Sequence, residues 1–196
     1  GDERAVIVEE EVDRLAYYVS DLLELSRLNS ETHPPTTELV AVEDVLGAAL
    51  RQVSGVQQGV TVNASLDPCE PLLVGRFDFV RTLRALVNLI DNAVKYSPAQ
   101  GVVDVTTRRD GDWIVLSVAD RGSGIAPGER TRIFDPFVRG AGAHAVHGTG
   151  MGLAIARRSV ELQGGSLDYA PRPEGGSVFT VRLPAAGVEE LARMSL

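Results

Sequence analysis

The feature that most limits how this chain can fold is the pair Pro34-Pro35. Proline has no amide hydrogen to give a helix or a central strand, and it pushes the residue before it out of helical geometry. Two in succession, behind Asn29, Ser30 and His33, divide the sequence into parts that fold by different rules. Upstream, residues 2–30 contain neither Pro nor Gly. Val8, Val12, Leu15, Val19 and Leu22 step by 4, 3, 4 and 3, the seam of a coiled coil or helical bundle, before the pattern shifts to Leu25 and Leu28. One long helix is expected. Its apolar stripe either packs back on its own domain or forms half of a helical hairpin that dimerises. The narrow seam and charged flanks favour the hairpin.

Charge follows the same division. The 196 residues carry 27 acids and 19 bases, a net −8, and residues 1–31 alone hold nine acids and three bases, or −6. The remainder is therefore near neutral, at −2. No basic footprint for nucleic acid is present. A single small polyanion is not excluded, because its binding depends on a few local groups. No apolar run approaches the ~20 residues of a membrane span. The one cysteine, Cys69, rules out an internal disulfide framework and a cysteine zinc site.

Beyond Pro35 the periodicity alternates. Leu39–Val42, Val60–Leu66 and Leu72–Val74 read as strands, and Glu43–Val53 as a helix. Phe77–Tyr96 reads as a strongly amphipathic helix with Val80, Leu83, Val87, Ile90 and Val94 on its apolar face. Val102–Arg109 and Trp113–Asp120 form a hairpin through Asp110-Gly111-Asp112. A short helix is expected near Glu129–Ile133, then a helix at Met151–Gln163 closed by Gly164-Gly165. Strands at Ser166–Tyr169 and Val178–Leu183 make a last hairpin. The expected fold class is α+β, a two-layer α/β sandwich whose mixed sheet is covered on one face by helices. The expected division is 1–33 for the N-terminal helix, 34–187 for the sandwich and 188–196 for a tail.

Three groups of residues carry chemical potential. Asn88, Asn92 and Lys95 form a polar stripe on the long helix, able to hold a hard cation and phosphate oxygens together. Asp120, followed by Gly122 and Gly124, places a carboxylate at a strand end where backbone can approach a ligand closely. Gly148, Gly150 and Gly152 precede a helix N-terminus, a natural anion site. Their G-x-G-x-G spacing is neither a Rossmann fingerprint nor a P-loop. Each group alone is as readily a solvated helix face, an Asp-capped turn or a helix start.

Together they resemble a family. Asn88-Leu-Ile-Asp-Asn-Ala-Val-Lys-Tyr96, Asp120-x-Gly-x-Gly-Ile125, Phe134-Asp-Pro-Phe137 and Gly148-x-Gly-Met-Gly-Leu153, in this order, are similar to the N, G1, F and G2 boxes of bacterial sensor histidine kinases. Gly175–Pro184 is similar to that family's last strand motif, so the likeness covers roughly residues 1–186. Phe77–Asn92 and Arg172–Gly176 further resemble the kinase region of Kdp-type potassium sensors, though other sensor kinases share much of this. The resemblance implies a Bergerat-type sandwich, as in the Hsp90, type II topoisomerase and MutL ATPases, binding ATP and Mg²⁺ under a mobile lid.

It also implies roles. Asn92 would hold Mg²⁺, Asn88 would support metal and phosphates, and Lys95 would contact phosphate, with Tyr96 beside the nucleotide. Asp120 would read the adenine amino group, in a pocket shaped by Gly122 and Gly124. Gly148, Gly150 and Gly152 would form the hinge and phosphate loop of the lid. Ile125, Thr149 and Leu153 join the ATP site with their boxes. Arg139 stands where phosphate-contacting arginines occur, and Ser177 where a Thr near adenine is common. Hydrolytic relatives carry Glu where Asn88 stands, and Asn cannot act as a general base.

The family's phosphoacceptor motif is not found around His33, His144 or His147. The resemblance therefore implies a piece of a kinase, whose residues 1–33 are the second helix of a phosphoacceptor hairpin. It would bind ATP and donate to a histidine elsewhere in the same protein, then to a response regulator receiver domain. A homodimer and a cytoplasmic position in a membrane-anchored bacterial protein are implied as well. A hydrolytic ATPase of the same superfamily and a non-catalytic dimerising module are the alternatives.

Overall fold

A computed structural model describes residues 2–30, 34–53, 59–67, 73–138 and 148–194. Helix α1 spans Asp2–Asn29 and ends where the Ser30 amide bonds the carbonyls of Ser26 and Arg27. Its seam divides in two. Val12, Leu15, Val19 and Leu22 are each more than half exposed, whereas Leu25 and Leu28 are buried against Met151, Ala154 and Ile155. The last two turns thus pack on the chain's own domain, with Tyr18 and Asp21 reaching it from the turn before, while Val12, Leu15, Val19 and Leu22 stay exposed. The side chain of Val8 lies outside those described.

Past the prolines come β1 (Glu38–Ala41), α2 (Val42–Val53), β2 (Thr61–Ser65), β3 (Val74–Phe77) and α3 (Phe79–Tyr96). There follow β4 (Val102–Asp110), β5 (Trp113–Ala119), α4 (Gly152–Glu161), β6 (Ser166–Pro171), β7 (Ser177–Pro184) and α5 (Val188–Met194). Five strands form one sheet in the order β2-β4-β5-β7-β6, parallel between β2 and β4 and antiparallel elsewhere. The cross-strand rows explain the core. Val118 pairs with Val105 on one side and Phe179 on the other, and Leu116 pairs with Thr107 and Val181. These residues are buried, and α2, α3 and α4 cover that one face. A mixed sheet with helices on one face is the two-layer sandwich the periodicity predicts. β1 and β3 form a separate two-stranded sheet, joined to β7 through a bridge between Gly75 and Ala185.

Several local expectations shift. The third strand is Val74–Phe77, not Leu72–Val74, and the long helix begins after it. Asp78 caps that helix, its side chain accepting from the Arg81 amide at 3.0 Å. The other carboxylate oxygen accepts from the Thr36 amide at 2.9 Å, tying the segment after the prolines to the start of α3. Residues 126–135 form no helix. Three successive i→i+3 turns close there instead, from Glu129 to Ala126, Arg132 to Glu129 and Asp135 to Arg132. Too few residues separate Pro127-Gly128 from Pro136 to propagate a helix. The stretch read as a tail carries α5, held by Glu190, which accepts from Arg76 Nε at 2.7 Å and from the Gly187 amide at 2.9 Å. Among the described residues no helix is long and apolar enough to cross a membrane.

Candidate functional site

The site is built on α3. Its buried face is Thr82, Ala85, Leu86, Leu89, Ile90, Ala93 and Val94. The expected stripe is therefore corrected. Val80 is 72% exposed, and Leu83 and Val87 are only partly buried. At ~100° of rotation per residue, these three fall on one flank of the buried face, and Asn88 and Asn92 fall on the other. Both asparagines are half-buried. The Asn88 Nδ2 is fully buried and has no hydrogen-bond partner. Such a group is costly unless something accepts from it. Lys95 is not free: its ammonium meets Asp91 Oδ2 at 2.6 Å, one turn back.

Opposite Asn88 stands the turn that opens α4. A Cβ on Gly152 would lie 3.8 Å from the Asn88 carboxamide, so this glycine packs directly over it. Gly150 is left-handed at φ 72°, and its carbonyl accepts from the Phe137 amide at 3.0 Å. Phe137, at φ 66° and 61% exposed, is held in a conformation that bulky residues rarely adopt. Leu153 packs against the core beneath the turn. The first turn of α4 contains no acid, and no side chain caps Met151 in the usual way. The Met151 amide reaches instead to Thr149 Oγ1 at 3.2 Å. The uncapped start of α4 thus lies beside a carboxamide whose own donor is unpaired, a combination suited to an anion.

The other end of the site is formed by backbone in contact with backbone. Asp120, 3% exposed, directly follows β5. Its Oδ1 accepts from the amides of Gly122 at 2.8 Å and Ser177 at 3.2 Å. Burial nevertheless holds its carboxyl above the ordinary value, outweighing those two amides, the Ser177 hydroxyl and the charge of Arg172, all of which pull it down. A Cβ on Gly122 would meet the Tyr96 carbonyl at 2.2 Å, and one on Gly176 would meet the Asp120 carbonyl at 2.2 Å. Gly124, at φ 69°, lies under the Gly176 carbonyl, and Ile125 packs into the core. Lys95, Tyr96, Arg121, Gly122 and Ser123 border an open depression of ≈ 300 Å³ between the end of α3 and this loop. A buried carboxylate with fixed oxygens suits the exocyclic amine of a planar base.

All three predicted groups thus converge around α3. Arg139, His33, His144 and His147 lie outside the described residues. Three contributors were not foreseen. Gly176 closes the Asp120 pocket. Arg84 stands four residues before Asn88, so the same helical stripe could have revealed it. Asp21 could not have been found that way, because it reaches Thr149 across 128 residues.

Comparison with known proteins gives the chain its family. Residues 78–187 match the family described as histidine kinase-, DNA gyrase B-, and HSP90-like ATPase. Sensor protein KdpD of Escherichia coli is 38% identical over 173 residues, 88% of this chain and 19% of KdpD. Sensor-like histidine kinase SenX3 of Mycobacterium tuberculosis is 35% identical over 178 residues, 89% of this chain and 43% of SenX3. The chain thus spans less than half the length of these relatives. Among solved structures, full-length ShkA in complex with AMPPNP aligns at a TM-score of 0.80 and 30% identity, covering 96% of this chain and 40% of that one.

Proposed function

The chain belongs to the histidine kinase-, DNA gyrase B- and HSP90-like ATPases, and on that premise we propose that it is the ATP-binding catalytic segment of a sensor histidine kinase. ATP lies between α3 and the turn opening α4, its base toward Asp120 and its phosphates toward Asn88, Asn92 and Gly148–Gly152. Asn92 and Asn88 would hold Mg²⁺ through their carboxamide oxygens, a donor type that suits a hard cation. Bound Mg²⁺ supplies neutralisation of phosphate charge. Lys95 and the α4 amides add to it and fix the orientation of the phosphates. The γ-phosphoryl passes to a histidine outside these 196 residues and then to an aspartate of a response regulator, within a dimeric, membrane-anchored protein on its cytoplasmic side.

The observation that carries this reading is Asn88. Its buried Nδ2 lacks a partner, and its carboxamide lies beside Gly152 at the uncapped start of α4. An amide there can bind phosphate, yet it cannot take a proton from water as a carboxylate would. The site is therefore fitted to position a phosphoryl group for transfer and not to hydrolyse ATP. Calorimetry with ATP, with and without Mg²⁺, tests binding; Mg²⁺-dependent affinity is expected. A steady-state phosphate-release assay tests the chemistry. Negligible turnover by this chain is expected, and sustained release would favour the hydrolytic reading.

A further inference from the structure

Thr149 and Arg84 are both engaged by one carboxylate that belongs to neither the turn nor α3. Asp21, on α1, accepts from Thr149 Oγ1 at 2.6 Å through Oδ2 and from Arg84 Nη2 at 3.0 Å through Oδ1. Its side chain is 16% exposed. Around it, Tyr18 OH reaches the Gly148 carbonyl at 3.5 Å, and Arg158 Nε donates to the Leu28 carbonyl at 3.3 Å. Leu25 and Leu28 seat the same stretch of helix on Met151, Ala154 and Ile155.

A hydroxyl in a glycine turn and a guanidinium one helical turn before Asn88 are the donors that a phosphate at this turn would use. Asp21 occupies both. Its negative charge also stands beside the uncapped start of α4, where an anion is favoured. Building on the nucleotide-site reading above, we propose that Asp21 is a stand-in for the terminal phosphates of the nucleotide, so that α1 seated on the domain and a triphosphate at the turn compete. Two groups of one sign cannot share the same donors without repulsion, and each must weaken the other by the same factor. A monophosphate, whose phosphate stays nearer the base end, does not reach these donors and is indifferent to α1.

The test compares this chain with Asp21→Asn by calorimetry, using Mg-ATP and AMP as probes. Asp21→Asn is expected to bind ATP about fivefold more tightly and AMP equally well. Leu28→Ala, which loosens the seating without touching Asp21, Thr149 or Arg84, is expected to shift ATP affinity the same way. Hydrogen exchange gives a readout independent of any variant. Amides along residues 18–29 of the unaltered chain should exchange faster when ATP saturates it. Unchanged or weaker ATP binding by Asp21→Asn, an equal gain for AMP, or exchange along 18–29 that is unaltered or slowed overturns the proposal. A chain that binds no ATP overturns the function reading as well. A chain that binds ATP equally with and without the Asp21 carboxylate overturns only this inference.

Discussion

The two ends of the site are built by different means. Around Asp120, main chain touches main chain. Gly122 lies against the Tyr96 carbonyl, Gly176 against the Asp120 carbonyl, and the carboxylate is locked by two amides. Around Thr149 the turn is looser: the Phe137 amide bonds the Gly150 carbonyl at 3.0 Å, but a Cβ on Gly148 would meet nothing within 4 Å. Side chains also hold that end, where Arg84 is engaged by Asp21; Lys95, near the C-terminal end of α3, is engaged by Asp91. The Asp120 end is preorganised at the cost of burying a carboxylate. On the proposed reading, phosphates would have to displace the chain's own acids from Arg84 and Lys95. Rigid recognition of a flat base and exchangeable recognition of a charged group would then share one helix.

Five substitutions break or sharpen that contrast, in descending order of effect. Gly176→Ala should be the most damaging. Its Cβ would collide with the Asp120 carbonyl at a φ of 106°, so urea denaturation should reveal a loss of about 3 kcal/mol or more. Asn92→Ala should leave the fold intact and reduce Mg²⁺-dependent ATP affinity by about 100-fold, measured by calorimetry.

Asp120→Asn separates binding from folding. ATP affinity should fall by ~1–3 kcal/mol as a buried contact is mispaired. Stability should move the other way. Burial raises this carboxyl above 3.8, so its ionisation costs more in the fold than in the unfolded chain. That penalty is absent below 3.8 and appears as pH rises through the raised value. The variant is therefore expected to melt no lower than the parent at neutral pH, with the difference vanishing in acid. A lower melting temperature at neutral pH would show that the carboxylate stabilises the fold.

At the phosphate end the effects are smaller. Asp91→Asn releases Lys95 and should raise ATP affinity by less than about threefold, because a partly exposed pair is weak. Gly148→Ala should change stability by under about 0.5 kcal/mol, there being open space for its Cβ. A large loss of stability there would show that both ends are equally rigid.

Where the determinants are local, the sequence was readable. The hairpin at Gly111, with φ 61°, and the left-handed Gly164 after α4 stand where turn chemistry places them. The Asn88–Asn92–Lys95 stripe follows from helical period alone. Where a boundary depends on neighbours, the reading slipped. Phe77 looked like the first residue of a helix because it is apolar and in phase. It ends β3 instead, fully buried, since Asp78 is the residue whose side chain can cap. Val80 was in phase too, yet the sheet covers a face centred on Leu86 and Leu89, leaving it in water.

The sequence by itself determined the chemistry: two carboxamides, a strand-end carboxylate and a glycine turn, each defined by residues a few positions apart. Tertiary structure alone decided what those groups meet. Gly176 reaches Asp120 only because β7 lies beside β5, and Asp21 reaches Thr149 only because Leu25 and Leu28 bury themselves on α4. The reason is physical. Turn preference, capping and helical period act over a few residues, whereas sheet order and the seating of a helix come from burying apolar surface across the whole chain, where many arrangements satisfy the same local pattern.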